Sequence, residues 1–267
     1  MLRQRVLTAI VLVLALLATI LWLPPAWAAA ALALVIVLAA FEWAGMAGLV
    51  SLPAKLGYAL LVVAVCVLLH FAVFGPGVLV AVLAVTMLWW FAALLWIVLA
   101  PARGGRSAAA VAGLLTLVPA ALAASWLYAR SPRGPWLVLF VIALVGAADI
   151  GAFFAGRAFG RVPLAPRVSP KKTWEGVVGG FVAAALVAWF ANAFLELPAV
   201  AFFALCAATV VLSIVGDLAE SLFKRHAGLK DSGSLLPGHG GVLDRIDSLT
   251  AALPLWTLGL ALLGELR

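Results

Sequence analysis

Carboxylates are almost missing from the first half of this chain: Glu42 is the only one before Asp149. Charge is scarce throughout, at 10% of residues against 67% hydrophobic, where soluble domains carry roughly 25% and 45–50%. A soluble fold this apolar could not cover its own surface. Cysteine is nearly absent as well. Cys66 and Cys206 both lie inside apolar runs, without the spacing of a metal site or of a secreted disulfide framework, which leaves them as small buried hydrophobes. The net charge of +7 suggests nucleic acid at first sight. The Lys and Arg residues, however, stand between apolar runs and form no single basic face, so no nucleic-acid partner is expected and membrane topology explains them better. Internal repeats and disordered tails are lacking too.

What the chain does have is long hydrophobic runs. A bilayer core needs about 20 apolar residues per helix, and nine segments qualify as spans: 6–23, 26–43, 56–74, 77–100, 107–128, 135–158, 176–195, 198–222 and 249–266. The expected fold is therefore an all-α, polytopic integral membrane protein with about nine transmembrane helices. Breaks fall at Pro24-Pro25, Gly75-Pro76, Arg103 to Arg106, Ser131-Pro132 and Leu197-Pro198, as Pro and Gly punctuation dictates. The N-terminal Arg3 and Arg5, the run after them and Ala26-Trp27-Ala28 imitate a secretory signal. The run from Val6 to Leu23 exceeds the ~7–15 residues of a signal core, so it is read as a retained first helix. With the N-terminus inside, 14 of the 17 Lys and Arg fall in inside segments, and only Arg130, Arg133 and Arg267 lie outside. The positive-inside rule then favours N-in, C-out and places the two long polar loops, about 157–175 and 223–248, in the cytoplasm. We divide the chain into N-terminal helices, 1–134, and a C-terminal region with the polar loops, 135–267.

The acids concentrate in that second region: Asp149, Glu175, Asp217, Glu220, Asp231, Asp244 and Asp247. A carboxylate in a span is costly unless paired or wet, and marks function by default. Asp149 shares a helical face with Phe153, Gly156 and Gly160; this is either a helix-packing seam with one paired acid or a place where a ligand comes close. Ser169-Pro170 reads as an N-cap and first helical position. Lys171 and Lys172 would then sit in a first helical turn, against the dipole, unless an anion joins them. Asp217, Glu220, Ser221 and Lys224 fall on one helical face, with Glu220 and Lys224 in the favourable i,i+4 order. Beyond them, Lys230 to Asp247 mixes glycines, acids and cations. Its glycines can bring backbone N–H groups to a phosphate. Asp244 and Asp247 share a face if a helix starts near Leu243, with Arg245 the evident local ion partner. Together with Asp217 from another helix, the acids make an oxygen-ligand set suited to Mg²⁺. His239 has no second histidine near it and is read as a hydrogen-bonding loop residue.

These residues carry a family resemblance. The run Ser221-x-x-Lys224-Arg225-x4-Lys230-Asp231-x5-Pro237-Gly238-His239-Gly240-Gly241-x-x-Asp244-Arg245-x-Asp247 resembles the signature of the phosphatidate cytidylyltransferase (CDP-diacylglycerol synthase) family. Asp149-x-Gly151-Ala152-Phe153-x-x-Gly156-x-x-Phe159-Gly160 and the segment from Ser169 to Gly176 are similar to that family's other blocks. The resemblance covers about 149–250 in residue detail; residues 1–148 match only as several hydrophobic helices. It implies an Mg²⁺-dependent nucleotidyltransferase that makes CDP-diacylglycerol and pyrophosphate from CTP and phosphatidic acid, in the inner (plasma) membrane with its site facing the cytoplasm. Asp217, Asp244, Asp247, Lys171 and Lys172 would be catalytic, with Asp217 and Asp244 on the metal and room for a second cation. Substrate contacts would come from Asp149, Ser169, Ser221, Lys224, Arg225, Lys230, Asp231, His239, Gly240, Gly241 and Arg245. CTP, phosphatidic acid and the bilayer are the expected partners, and homodimerisation is compatible with them. Three other readings stand beside this one. A CTP-dependent lipid-alcohol kinase would transfer the γ-phosphoryl group. A CDP-alcohol phosphotransferase would need a run of four spaced aspartates that this chain lacks. An ion-coupled transporter would need polar groups at both faces, whereas here they crowd toward one.

Overall fold

The computed structural model describes residues 2–73, 75–130, 133–195, 197–236 and 240–266. Among them the chain forms nine helices: α1 (Leu2–Leu21), α2 (Pro25–Met46), α3 (Leu52–Ala72), α4 (Pro76–Leu99), α5 (Arg106–Arg130), α6 (Gly134–Phe159), α7 (Trp174–Leu195), α8 (Ala199–His226) and α9 (Leu243–Leu262). Each expected span becomes one helix. Proline in the first two positions starts α2, α3, α4 and α6, where its missing N–H costs nothing. The shifts in boundary have local causes. α3 begins at Leu52 because Ser51 caps it, its hydroxyl accepting from the Ala54 N–H at 3.4 Å. α9 begins at Leu243, well ahead of residue 249, because hydropathy cannot register a helical turn that carries Asp244, Arg245 and Asp247.

Among the described residues seven helices, α2 to α8, are long and apolar enough to cross a membrane. The chain is an all-helical, multi-pass membrane protein. α9 is largely enclosed: Trp256 and Leu260 are fully buried, and Trp256 packs on Phe140 of α6 with ring centroids 5.1 Å apart. The polar ends meet on one face of the bundle. Glu42, late in α2, bonds the loop before α9. Lys55, in the first turn of α3, lies over Phe41. His226, at the end of α8, is 2.8 Å from the Pro101 carbonyl oxygen beyond α4. Even-numbered helices from α2 to α8 thus end, and odd-numbered helices from α3 to α9 begin, at the same face, as an up-and-down bundle requires.

One local expectation is corrected. Ser169-Pro170 does not cap a helix. Ser169–Thr173 is a strand, β2, paired antiparallel with β1, Pro163–Ala165. Helix α7 starts only at Trp174, and its cap is Thr173, whose hydroxyl accepts from the Gly176 N–H at 3.1 Å. Ser-Pro suits a strand edge as well as a helix start, because proline at the edge needs no ladder donor. Lys171 and Lys172 therefore do not oppose a helix dipole. Strand alternation sends them to opposite faces: Lys171 is exposed and Lys172 turns inward.

α6 and α7 meet through small residues. A Cβ on Gly180 would lie 2.8 Å from the Ala148 carbonyl oxygen, one on Gly179 2.8 Å from the Gly151 carbonyl oxygen, and one on Gly176 2.9 Å from the Ala152 carbonyl oxygen. In lipid, apolar burial does not drive helices together, so such close backbone contact supplies the attraction. The glycines after Asp149 serve this helix seam. Gly180→Leu is expected to lower the melting temperature in detergent by several degrees, since overpacking costs about 1–3 kcal/mol. Gly57→Ala in α3, where an added Cβ meets nothing within 4 Å, is expected to hold or raise it. A Gly180→Leu protein that melts like the wild type would contradict the close seam.

Candidate active site

α8 presents Asp217, Glu220, Ser221 and Lys224 along one side, and neighbouring elements fill in around them. Lys172, from β2, forms an ion pair with Asp217, whose side chain stays about one quarter exposed. Ser221 Oγ donates to Asp217 Oδ1 at 3.5 Å. Lys224 Nζ donates to Glu220 Oε2 at 2.7 Å, the expected i,i+4 pair, and to Asp244 Oδ1 of α9 at 2.8 Å. Asp244 thus pairs with Lys224 from another helix and not with its neighbour Arg245. Sequence adjacency favours Arg245, but successive residues on a helix point about 100° apart. Arg245 instead lies with Lys172, Asp217 and Ser248 around Asp149 of α6. Asp247 accepts from its neighbour Ser248 N–H at 2.7 Å and faces Asp217 and Glu220. Elements from α6, β2, α8 and α9 therefore bring Asp149, Lys172, Asp217, Ser221, Lys224, Asp244, Arg245 and Asp247 into one polar cluster.

The loop between α8 and α9 is folded on two carboxylates. Asp244 accepts from the Gly241 N–H at 2.8 Å and from the Ser232 N–H at 3.1 Å on Oδ2 and 3.2 Å on Oδ1. Glu42, only 4% exposed, accepts from Ser232 Oγ at 3.1 Å, the Val242 N–H at 3.1 Å and the Leu243 N–H at 2.8 Å. The N–H groups of Ser232, Gly241, Val242 and Leu243 are thus taken by the protein's own acids, and side-chain cations become the natural phosphate partners. Gly240, at φ +82°, turns the chain back toward Asp244, in the left-handed region glycine enters freely. Residue-by-residue reading passed over Glu42. Its signal was nevertheless in the sequence: it is the one carboxylate of the first 148 residues, and it is placed in an apolar helix.

The remaining expected residues lie around this centre. Lys171, Arg225, Lys230 and Asp231 are exposed. Ser169 is half-buried at the start of β2, and Gly241 is buried beside Glu42. His239, with Pro237 and Gly238, lies outside the described residues.

The donor set can be weighed against Mg²⁺. Among the described residues no three His, Cys, Asp or Glu side chains form a ready metal cage. Mg²⁺ does not need one: it is usually held by one or two carboxylates together with water and substrate phosphates. Asp217 and Asp244 supply hard oxygen ligands, and each is now neutralised by an ammonium group, Lys172 and Lys224. Two carboxylates already arranged around cations suit a divalent ion arriving with a polyphosphate.

Comparison with known proteins bears on what this cluster does. The sequence pattern described as "Cytidylyltransferase family" matches residues 3–263. The phosphatidate cytidylyltransferase of Pseudomonas aeruginosa is 43% identical over 275 residues, which cover 97% of this chain and 98% of that protein. The protein of the same name from Haemophilus influenzae is 40% identical over 282 residues, covering 96% and 98%. That of Brucella suis is 45% identical over 157 residues, 58% of this chain.

Proposed function

This chain belongs to the cytidylyltransferase family, and from that premise we propose the chemistry of its polar cluster: it transfers the cytidylyl group of CTP to phosphatidic acid, giving CDP-diacylglycerol and pyrophosphate. The observation that carries the reading is the meeting of Lys172 and Lys224 with Asp217 and Asp244, at the end of the bundle where most of the charge gathers. A nucleoside triphosphate comes from water and needs cations; a lipid phosphate comes from the bilayer and needs a groove at its surface.

An oxygen of the lipid phosphate attacks the α-phosphorus of CTP in line. A new P–O bond forms there as the bond to the β-phosphate breaks, and pyrophosphate leaves. The attacking phosphate has a second pKa of about 6 and is already largely ionised at pH 7, so no general base is required. Asp217 and Asp244 would hold Mg²⁺, and the ion would supply positive charge against the phosphate groups there. Lys172 and Lys224, released from those acids, hold phosphates by charge-assisted hydrogen bonds. Lys171 and Arg225 extend the cationic rim. Asp149 orients Lys172 and Arg245, and Asp247 orients the start of α9 against α8. Purified protein given phosphatidic acid and Mg²⁺ should place label from α-labelled CTP, and none from γ-labelled CTP, in the lipid extract. Lipid labelled from the γ-position would overturn the reading in favour of a kinase.

The polar end faces the cytoplasm of the inner membrane. The excess of Lys and Arg in its loops, 14 of 17, supports this orientation. Single cysteines at the exposed positions Arg161 and Ser234 should resist an impermeant thiol reagent in intact cells and react after permeabilisation. Labelling of either from outside would reverse the topology.

A further inference from the structure

We propose that Glu42 is a positioning residue for the transfer reaction: from α2, it shapes the loop before α9 and so sets Asp244 in place. The proposal rests on the reading of Asp244 given above. Glu42 belongs to none of the motif blocks, and about 190 residues separate it from the groups it binds. Its carboxylate accepts from the Val242 and Leu243 N–H groups, at 3.1 and 2.8 Å. Those are the N–H groups of the N-cap position and of the first residue of α9, and Val242 supplies no side-chain cap there. A carboxylate at a helix N-terminus satisfies such donors and complements the dipole. Here the cap comes from a different helix.

Two loop glycines report on the same contact. A Cβ on Gly233 would lie 2.7 Å from Glu42 Cδ and 3.0 Å from Cγ, and one on Gly241 would also lie 2.7 Å from Cδ. These glycines therefore leave room for a protein carboxylate, whatever else the loop meets. Ser232 closes the circuit. Its hydroxyl donates to Glu42 at 3.1 Å, and its N–H donates to Asp244 at 3.1 and 3.2 Å. Glu42 and Asp244 thus grip the same residue from opposite sides, and Gly241 adds a second link, its N–H on Asp244 and its Cα against Glu42. Moving Glu42 moves the donors that aim Asp244. Glu42 touches no reacting atom; it acts through the loop.

The test uses full-length protein in detergent with Glu42→Gln, Glu42→Asp and Glu42→Ala. Glutamine keeps the volume but loses the charge and turns one acceptor into a donor, which faces the N–H group of Val242 or that of Leu243. Glu42→Gln should lower kcat at least tenfold while KM for phosphatidic acid stays within about twofold. Hydrogen exchange should speed up in the peptide spanning residues 231–243 and remain unchanged in α6 and α7. Glu42→Asp, which keeps the charge on a shorter arm, should recover part of kcat. If Glu42→Ala does not fold, Glu42→Gln alone decides. Wild-type kcat in Glu42→Gln, or exchange that quickens across the whole bundle without a local maximum at the loop, overturns the proposal. The exchange readout does not depend on the reaction. Failure of the wild type to label lipid from α-labelled CTP would remove the function reading and leave the loop result to be judged on its own.

Discussion

Asp217→Asn is expected to abolish turnover of CTP and phosphatidic acid in a protein that remains folded. Asparagine has nearly the shape of aspartate, so the packing of α8 survives. The charge is what disappears. Lys172 loses its counter-ion, but that lysine is 28% exposed and can hydrate, so the cost to stability stays within about 1 kcal/mol. Turnover should fall on the order of 10²–10³-fold or more, the scale on which losing one preorganised electrostatic group slows a reaction. Asp244→Asn should be as damaging and should loosen the loop too. Its amide would turn a donor toward the N–H groups of Ser232 or Gly241, which now donate to the carboxylate. Turnover measured against Mg²⁺ concentration, beside a detergent melting curve, checks both. Full activity of Asp217→Asn at ordinary Mg²⁺ would remove Asp217 from the reaction and leave the transition state without its main charge stabiliser.

Lys224→Met should be the most destabilising single change in the cluster, and inactive as well. Lys224 is 12% exposed and serves two acids, Glu220 at 1% and Asp244 at 7%. Removing a buried cation leaves uncompensated buried charge, which typically costs 3–5 kcal/mol. Glu220 is hit hardest, because it is the more deeply buried of the two acids and Lys224 is its ion-pair partner. The double variant Lys224→Met with Glu220→Gln removes the orphaned charge on α8 and should regain much of the lost melting temperature. It should regain no turnover, because the phosphate-holding ammonium is still missing. A single Lys224→Met protein with wild-type stability would show that this ion cluster is not structural, and an active double variant would show that it is not catalytic.

The all-helical, multi-pass architecture was legible because a bilayer allows so few solutions. Backbone groups in lipid must be satisfied within their own segment, so an apolar run of some 20 residues has to be a helix. Motif spacing on α8 was equally legible, since Asp217, Glu220 and Lys224 lie within two helical turns. Periodicity misled at Ser169-Pro170, where Ser-Pro also suits a strand edge and the pairing partner, Pro163–Ala165, gives no hydropathy signal of its own. Sequence adjacency misled at Arg245, because neighbours in sequence point apart on a helix while Lys224 arrives from α8.

What the sequence determined by itself is therefore what short range and the membrane dictate: helices where apolar runs fill the bilayer, breaks at Pro and Gly, and the i,i+4 bond of Lys224 to Glu220. The tertiary structure alone decided which charge meets which. Lys172 reaches Asp217 across a hairpin and a helix, Lys224 reaches Asp244 from α8 to α9, and Glu42 reaches Ser232 and the start of α9 from the other end of the chain. Ionic and hydrogen-bonded contacts act over a few ångströms in space whatever the distance along the chain. In a bundle whose apolar faces look alike, only the packed arrangement of helices says which polar groups come within that range.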